Sequence, residues 1–247
     1  MPLRILLPLI MGLCAPAGIL ADSARLLEAG IPAVDREWLG VDYVRTAQIL
    51  SSGKVALPRF SDKDESALLY HLISTNNFRF AQNRSLPLES RMEDLLNLQG
   101  AVNTVLKLYM SEMNQGKPVS KEAAHILGFL LRTCEVVLGL VEEFLPKIPK
   151  DEKYGVRMDG LKKMKSGLTT VFAGAELTLS ETNIYSADDR SVVLGAMADT
   201  LPRIKDQFSD SYRIELRGKL KKHRTMFRAG DRKKIEGMVV ELGEPVP

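Results

Sequence analysis

Between Ser120 and Leu145, apolar residues crowd onto nearly every side of a helical wheel. Leu127, Leu130, Cys134, Val137, Val141 and Phe144 recur at three- and four-residue steps, the spacing that brings side chains onto one helix face. Phe129, Leu131, Val136, Leu138 and Leu140 widen that face until a narrow polar line of His125, Arg132, Glu135 and Glu142 remains. A helix that is apolar around most of its circumference has to be surrounded by other elements. The stretch therefore predicts the central helix of a bundle.

Longer periods on either side supply the partners. Pro87 can occupy the first turn of a helix that runs to about Met113, with a seam of Met92, Leu95, Leu98, Val102, Val105 and Tyr109. Gln115-Gly116-Lys117-Pro118 breaks it, and Pro146 and Pro149 end the central helix. The next helix, about Asp151 to Ser180, carries Leu161, Met164, Leu168, Val171 and Ala175, and beside that seam Gly160, Gly167 and Gly174 fall at intervals of seven. Each glycine costs up to about 1 kcal/mol against alanine in a helix interior, so three of them need a reason. The expected reason is a smooth stripe on which a neighbouring helix approaches closely; the alternative is a groove left open for a ligand. Ser186 then caps a helix with Asp188 and Asp189 in its first turn and Val193, Met197, Leu201, Ile204 and Phe208 as its apolar line. Pro202 within that line predicts a kink or a split near Thr200. Two amphipathic segments close the chain, one carrying Tyr212, Leu216, Leu220 and Phe227, the other Ile235, Met238, Val239 and Leu242.

Weaker patterns fill the N-terminal part. Short helices are expected over Asp22 to Gly30, with Asp22 or Ser23 as cap, over Val41 to Ser51, and after Ser61 as N-cap, where Leu68, Leu69, Leu72 and Ile73 form the apolar line. No strand pattern of comparable strength appears. The fold class expected is all-α, a multi-helix bundle of about six or seven helices with no significant sheet. One domain spans 22–247, with a loosely structured N-terminal part at 22–60, the bundle core at 87–208 and basic C-terminal helices at 210–242. A shift of 67 residues matches Gly100 with Gly167, Leu127 with Leu194, Gly128 with Gly195 and Thr133 with Thr200. Helical sequences match this well by chance, and no duplication is inferred from it.

Residues 1–21 read as a secretory signal peptide: Arg4 supplies the positive start, Ile5 to Leu13 the apolar core, and the small residues Ala15 and Ala17 or Ala21 the exit. The core is too short for a permanent span, so a periplasmic or secreted protein is expected, not an integral membrane one. Cys14 does not make a lipid-attachment site, because Leu13 stands where a small residue is needed. Removal of the signal leaves Cys134 as the only cysteine, which rules out an intramolecular disulfide.

Composition, at 45% hydrophobic and 26% charged, is that of an ordinary globular chain with enough apolar material for a core. Candidate chemistry is thin. Glu122-Ala-Ala-His125 puts a carboxylate and an imidazole on one helix face, but a di-metal bundle needs a second such step, and neither His71 nor His223 has a carboxylate three residues before it. Nucleophile-elbow and phosphate-loop motifs are absent, and no catalytic residue, cofactor or metal is assigned. Charge is the uneven feature. From Arg213 to Lys234, ten basic residues stand against Glu215 and Asp231, a local balance of +8 in a chain of net +3. Arg213, Arg217, Lys221, Arg224 and Arg228 recur at helical spacing and are the candidate partner-binding residues, facing an acidic protein or an anionic envelope or lipid surface. Nucleic acid is not expected, given the export signal and only 6% aromatic residues. The function expected first is an exported, non-catalytic helical protein that binds another macromolecule as an inhibitor, adaptor or accessory factor. The second is a carrier that holds an apolar or lipid ligand between helices.

Overall fold

The computed structural model of the chain describes residues 26–147 and 156–243. The signal segment, the caps at Asp22 and Ser23, and the expected start of a helix at Asp151 lie outside the described residues. Within them the protein is all-α, with nine helices and no strand. These are α1 (Gly40–Ser51), α2 (Lys63–Leu72), α3 (Arg79–Gln82), α4 (Leu88–Asn114), α5 (Ser120–Phe144), α6 (Val156–Ser180), α7 (Ala187–Ile204), α8 (Asp210–His223) and α9 (Ala229–Glu241). The number exceeds the expected six or seven because the chain adds short helices such as α3 outside the main bundle.

From α4 onward the helices form three hairpins, α4–α5, α6–α7 and α8–α9, stacked in two layers. The inner layer is α5, α7 and α9, in which α5 packs against α7 and α7 against α9. Ion pairs and hydrogen bonds give its direction. Ser120 at the start of α5 donates to Asp189 at the start of α7 (3.0 Å), and Glu142 near the end of α5 pairs with Arg203 near the end of α7 (2.5 Å). Ser191 with Asp231 (2.9 Å) and Lys205 with Glu241 (2.6 Å) do the same for α7 and α9. The three inner helices are therefore parallel. The outer layer holds α4, α6 and α8, with α8 seated on α6.

The 67-residue offset acquires a structural meaning here. Helices α5 and α7 begin at Ser120 and Ala187, an offset of 67 residues. Leu127 and Leu194, Gly128 and Gly195, and Thr133 and Thr200 therefore occupy the same positions along α5 and α7.

Helix α5 is the core of this arrangement. It lies between α4, α6 and α7, and fifteen of its residues are buried. By length and composition alone Ser120–Lys147 could cross a membrane, since an 18-residue window within it has a mean hydropathy of 1.7, yet 72% of that window is buried inside the protein. The polar line meets solvent and short-range partners, as its position implied: Arg132 faces Asp199 (3.7 Å) and Glu142 faces Arg203. Cys134 is fully buried, and burial pushes its thiol up to about 12, so it packs as a small hydrophobe.

Local sequence sets the helix ends. Ser186 accepts the Asp189 N–H and Asp189 accepts the Ser186 N–H, each at 3.1 Å, which closes a capping box at the start of α7. Pro202 lies in the last turn of α7, and the helix runs through to Ile204, so the split expected near Thr200 does not occur. A proline this close to the end removes one backbone bond from a turn that is ending anyway. Asp62 rather than Ser61 caps α2, its Oδ1 accepting the Glu65 N–H at 3.3 Å.

The N-terminal part departs furthest from expectation. Residues 26–60 are not loosely structured. A helical turn at 26–28 ends at Gly30 (φ +91°), where the Gly30 and Ile31 N–H groups return to the Leu27 and Leu26 carbonyls (2.9 Å each). Ile31, Trp38 and Tyr43 are fully buried, and Trp38 donates to the Ala33 carbonyl at 2.8 Å. Helix α1 packs along α4. Residues 58–60 are fastened as well: the Pro58 carbonyl accepts the Tyr109 hydroxyl, Arg59 pairs with Glu112 (2.7 Å), and the Phe60 N–H donates to Glu122 (2.9 Å). The closest approach is at Gly40, whose N–H donates to Asp94 Oδ1 at 3.0 Å. A Cβ there would lie 2.8 Å from the Asp94 Cα and carbonyl oxygen, and backbone cannot step aside cheaply. Gly40→Ala is therefore expected to destabilise the fold by about 1–3 kcal/mol, the usual range for overpacking, read from a urea unfolding curve.

Candidate ligand cleft and the basic hairpin

Helices α6 and α8 touch in the outer layer, whereas α4 and α6 are separated by a cleft of about 700 Å³ floored by α5. Leu96, Gln99, Gly100 and Asn103 of α4 form one wall. Leu130 and Val137 of α5 form the floor, and Gly160, Met164, Gly167, Leu168 and Val171 of α6 form most of the other wall. Lys163, Ser166 and Thr170 add polar groups on the α6 side.

Two glycines of the stripe, Gly160 and Gly167, line this space; Gly174 lies beyond it. A Cβ added at Gly160, Gly167 or Gly174 would meet no described heavy atom within 4 Å. The close helix–helix approach expected from the spacing is absent, and the open groove is present. Gly100 is equally uncovered, and it is the residue that the 67-residue shift matches with Gly167. Equivalent glycines of consecutive hairpins thus line opposite walls of one cleft. Sequence reasoning missed the α4 wall altogether; the Gly100–Gly167 match was the signal that held it. A second hollow of about 490 Å³ lies on the far side of α4, between α4 and α1, and shares Leu96 and Gly100 with the first. Leu96 stands 55% exposed on the ridge between them.

The basic stripe does not persist as one face. Helix α8 ends at His223, a 3-10 turn covers Arg224–Met226, and Phe227 is extended (φ −117°, ψ 155°), so Arg228 leaves the line. The expected residues separate accordingly. Arg213 pairs with Asp210 one turn before it, Arg224 with Glu236 of α9 (2.6 Å), and Arg228 with Asp188 of α7 (3.1 Å). Arg217 is half-buried and Lys221 fully exposed.

The remaining titratable groups serve packing. His223 Nε2 lies 2.7 Å from Glu176 Oε1, and Lys219 Nζ is 3.0 Å from Glu176 Oε2, which clamps α8 onto α6 around a carboxylate that is only 6% exposed. Hydrogen bonds donated to Glu215 and Glu176 hold Lys219 above its ordinary value. Glu122 and His125 do not converge on a metal position: Glu122 accepts the Phe60 N–H, and His125 meets the Phe60 ring edge-on at 4.9 Å. Burial, with Lys121 nearby, holds His125 below its usual value. Among the described residues no group of three or more His, Cys, Asp and Glu gathers as a metal ion requires.

Compared with family models, with curated proteins and with solved structures, the chain gives no match to any of them.

Proposed function

We propose that the protein is a non-catalytic helical carrier that holds a small apolar or single-chain amphiphilic ligand in the cleft between α4 and α6. The observation that carries this reading is the uncovered glycine stripe on the cleft wall. Exposed glycine in the middle of a helix is costly for folding, and an open groove gives it a use. The size also fits: about 700 Å³ lies within the range of small-ligand pockets, roughly 300–1,000 Å³. A partner helix fits poorly, because a rod about 10 Å across would fill that volume in roughly six residues. Leu130 and Val137 on the floor and Leu168 on the α6 wall suit an alkyl chain, and the exposed Lys163 suits an acidic head group. Export after removal of residues 1–21 belongs to the same reading. A macromolecule held along Arg213, Arg217, Lys221, Arg224 and Arg228 as one stripe has less support, since the line is broken by the end of α8 at His223 and the turn that follows it.

Native mass spectrometry of protein purified from its own source tests the carrier reading. The expected result is a bound mass of lipid size that organic extraction removes. Gly167→Phe, which fills the cleft from the wall, should lose that mass while keeping its helical circular dichroism. Wild-type protein that emerges unliganded and also fails to bind a spin-labelled fatty acid overturns the reading.

A further inference from the structure

The loop end of the α8–α9 hairpin concentrates charge more tightly than the expected stripe. Residues 221–234 contain seven Lys and Arg against one Asp. Lys221, Lys222, Arg224, Arg228, Arg232 and Lys233 are all exposed, and they surround the connecting turn rather than one helix face. The acids that meet them change little. Asp188 is 83% exposed beside Arg228 and Glu236 is 49% exposed beside Arg224, so water screens both pairs. Apolar side chains stand out among the cations. Met226 is 38% exposed at the turn, and Ile184 is 50% exposed in the loop between α6 and α7. The Arg228–Asp188 pair and the Ser191–Asp231 hydrogen bond bring that neighbouring hairpin end alongside.

We propose that this hairpin end docks the protein on an anionic lipid bilayer, with Lys221, Lys222, Arg224, Arg228, Arg232 and Lys233 at the headgroups and Met226 and Ile184 in the interfacial layer. Clustered Lys and Arg are attracted to the negative surface of an anionic leaflet, and apolar side chains among them add buried area at the headgroup boundary. Each cation near such a surface strengthens partitioning about fivefold. The surface is separate from the cleft and does not depend on what the cleft holds.

Flotation of the full chain with vesicles tests this, using phosphatidylcholine alone and phosphatidylcholine with phosphatidylglycerol. Binding is expected only to the anionic vesicles, and it should weaken as salt shortens the range of the charges. Lys221→Gln, Lys222→Gln and Lys233→Gln together should cut partitioning about a hundredfold, and Met226→Ser should weaken it with no change in net charge. These side chains are exposed, so circular dichroism should not change. Equal binding to neutral vesicles, or none to anionic vesicles at low salt, overturns the proposal. Retention on immobilised polyglutamate without vesicle binding also overturns it, in favour of an acidic protein partner. Gly167→Phe should float like wild type, so a failure of the carrier reading and a failure of this one are told apart.

Discussion

Converting Gly160, Gly167 and Gly174 together to alanine is expected to raise the stability of the unliganded protein by about 2–3 kcal/mol. An exposed helix-interior glycine costs up to about 1 kcal/mol against alanine, mainly through backbone entropy in the unfolded chain. Nothing described lies within 4 Å of the new methyl groups, so no steric term opposes the gain. The methyl groups at 160 and 167 narrow the cleft wall, and ligand affinity should fall as stability rises. Urea unfolding of ligand-stripped protein gives the first quantity, and stripping matters because a bound ligand stabilises by mass action. Titration with a spin-labelled fatty acid gives the second. A triple variant less stable than wild type would mean that a helix does cover the stripe.

Trp38→Ala should cost about 3–5 kcal/mol, the range for truncating a buried aromatic. Trp38 is 2% exposed, its indole N–H is bonded to the Ala33 carbonyl, and its ring centroid lies 5.2 Å from that of Tyr43 and 4.3 Å from that of His71. Against a typical domain stability of about 5–15 kcal/mol, this loss is large. Unfolding followed by circular dichroism measures it; a loss under about 1 kcal/mol would show that residues 26–60 contribute little. The neighbouring imidazole adds a pH dependence of definite sign. Burial holds His71 below its ordinary value. The unfolded chain therefore binds the proton at about pH 6.5 while the folded protein still refuses it, and stability falls as pH drops from there toward the folded value. His125 acts in the same direction.

Helix positions were legible because burial on a helix leaves a period in the sequence. The central helix, expected over Ser120–Leu145, runs Ser120–Phe144, and α4 starts immediately after Pro87. Which helices pair was not legible, since periodicity says that a face is covered and not by what. Residues 31–40 show the limit most clearly. Irregular backbone buries Ile31 and Trp38 through contacts that no repeat records. The cleft was half visible: glycines at intervals of seven announced a missing side-chain layer, but the opposite wall is some 67 residues away in sequence. Helical spacing misled at the C-terminus, because it presumes an unbroken helix and His223 ends one.

Helix α5 has a consequence for how the chain is made. Any chain that meets a membrane before it folds exposes Ser120–Lys147, which is long and apolar enough to enter one: an 18-residue window within it has a mean hydropathy of 1.7. Arg132 lies halfway along Ser120–Phe144, with Glu135 one turn on. A charge at the centre of an inserting helix opposes lateral release into lipid by about 2.5–3.5 kcal/mol. The thin polar line that meets solvent in the folded protein therefore also opposes insertion of the unfolded segment into a bilayer, and Arg132→Leu with Glu135→Leu would leave it with no such charge at its midpoint.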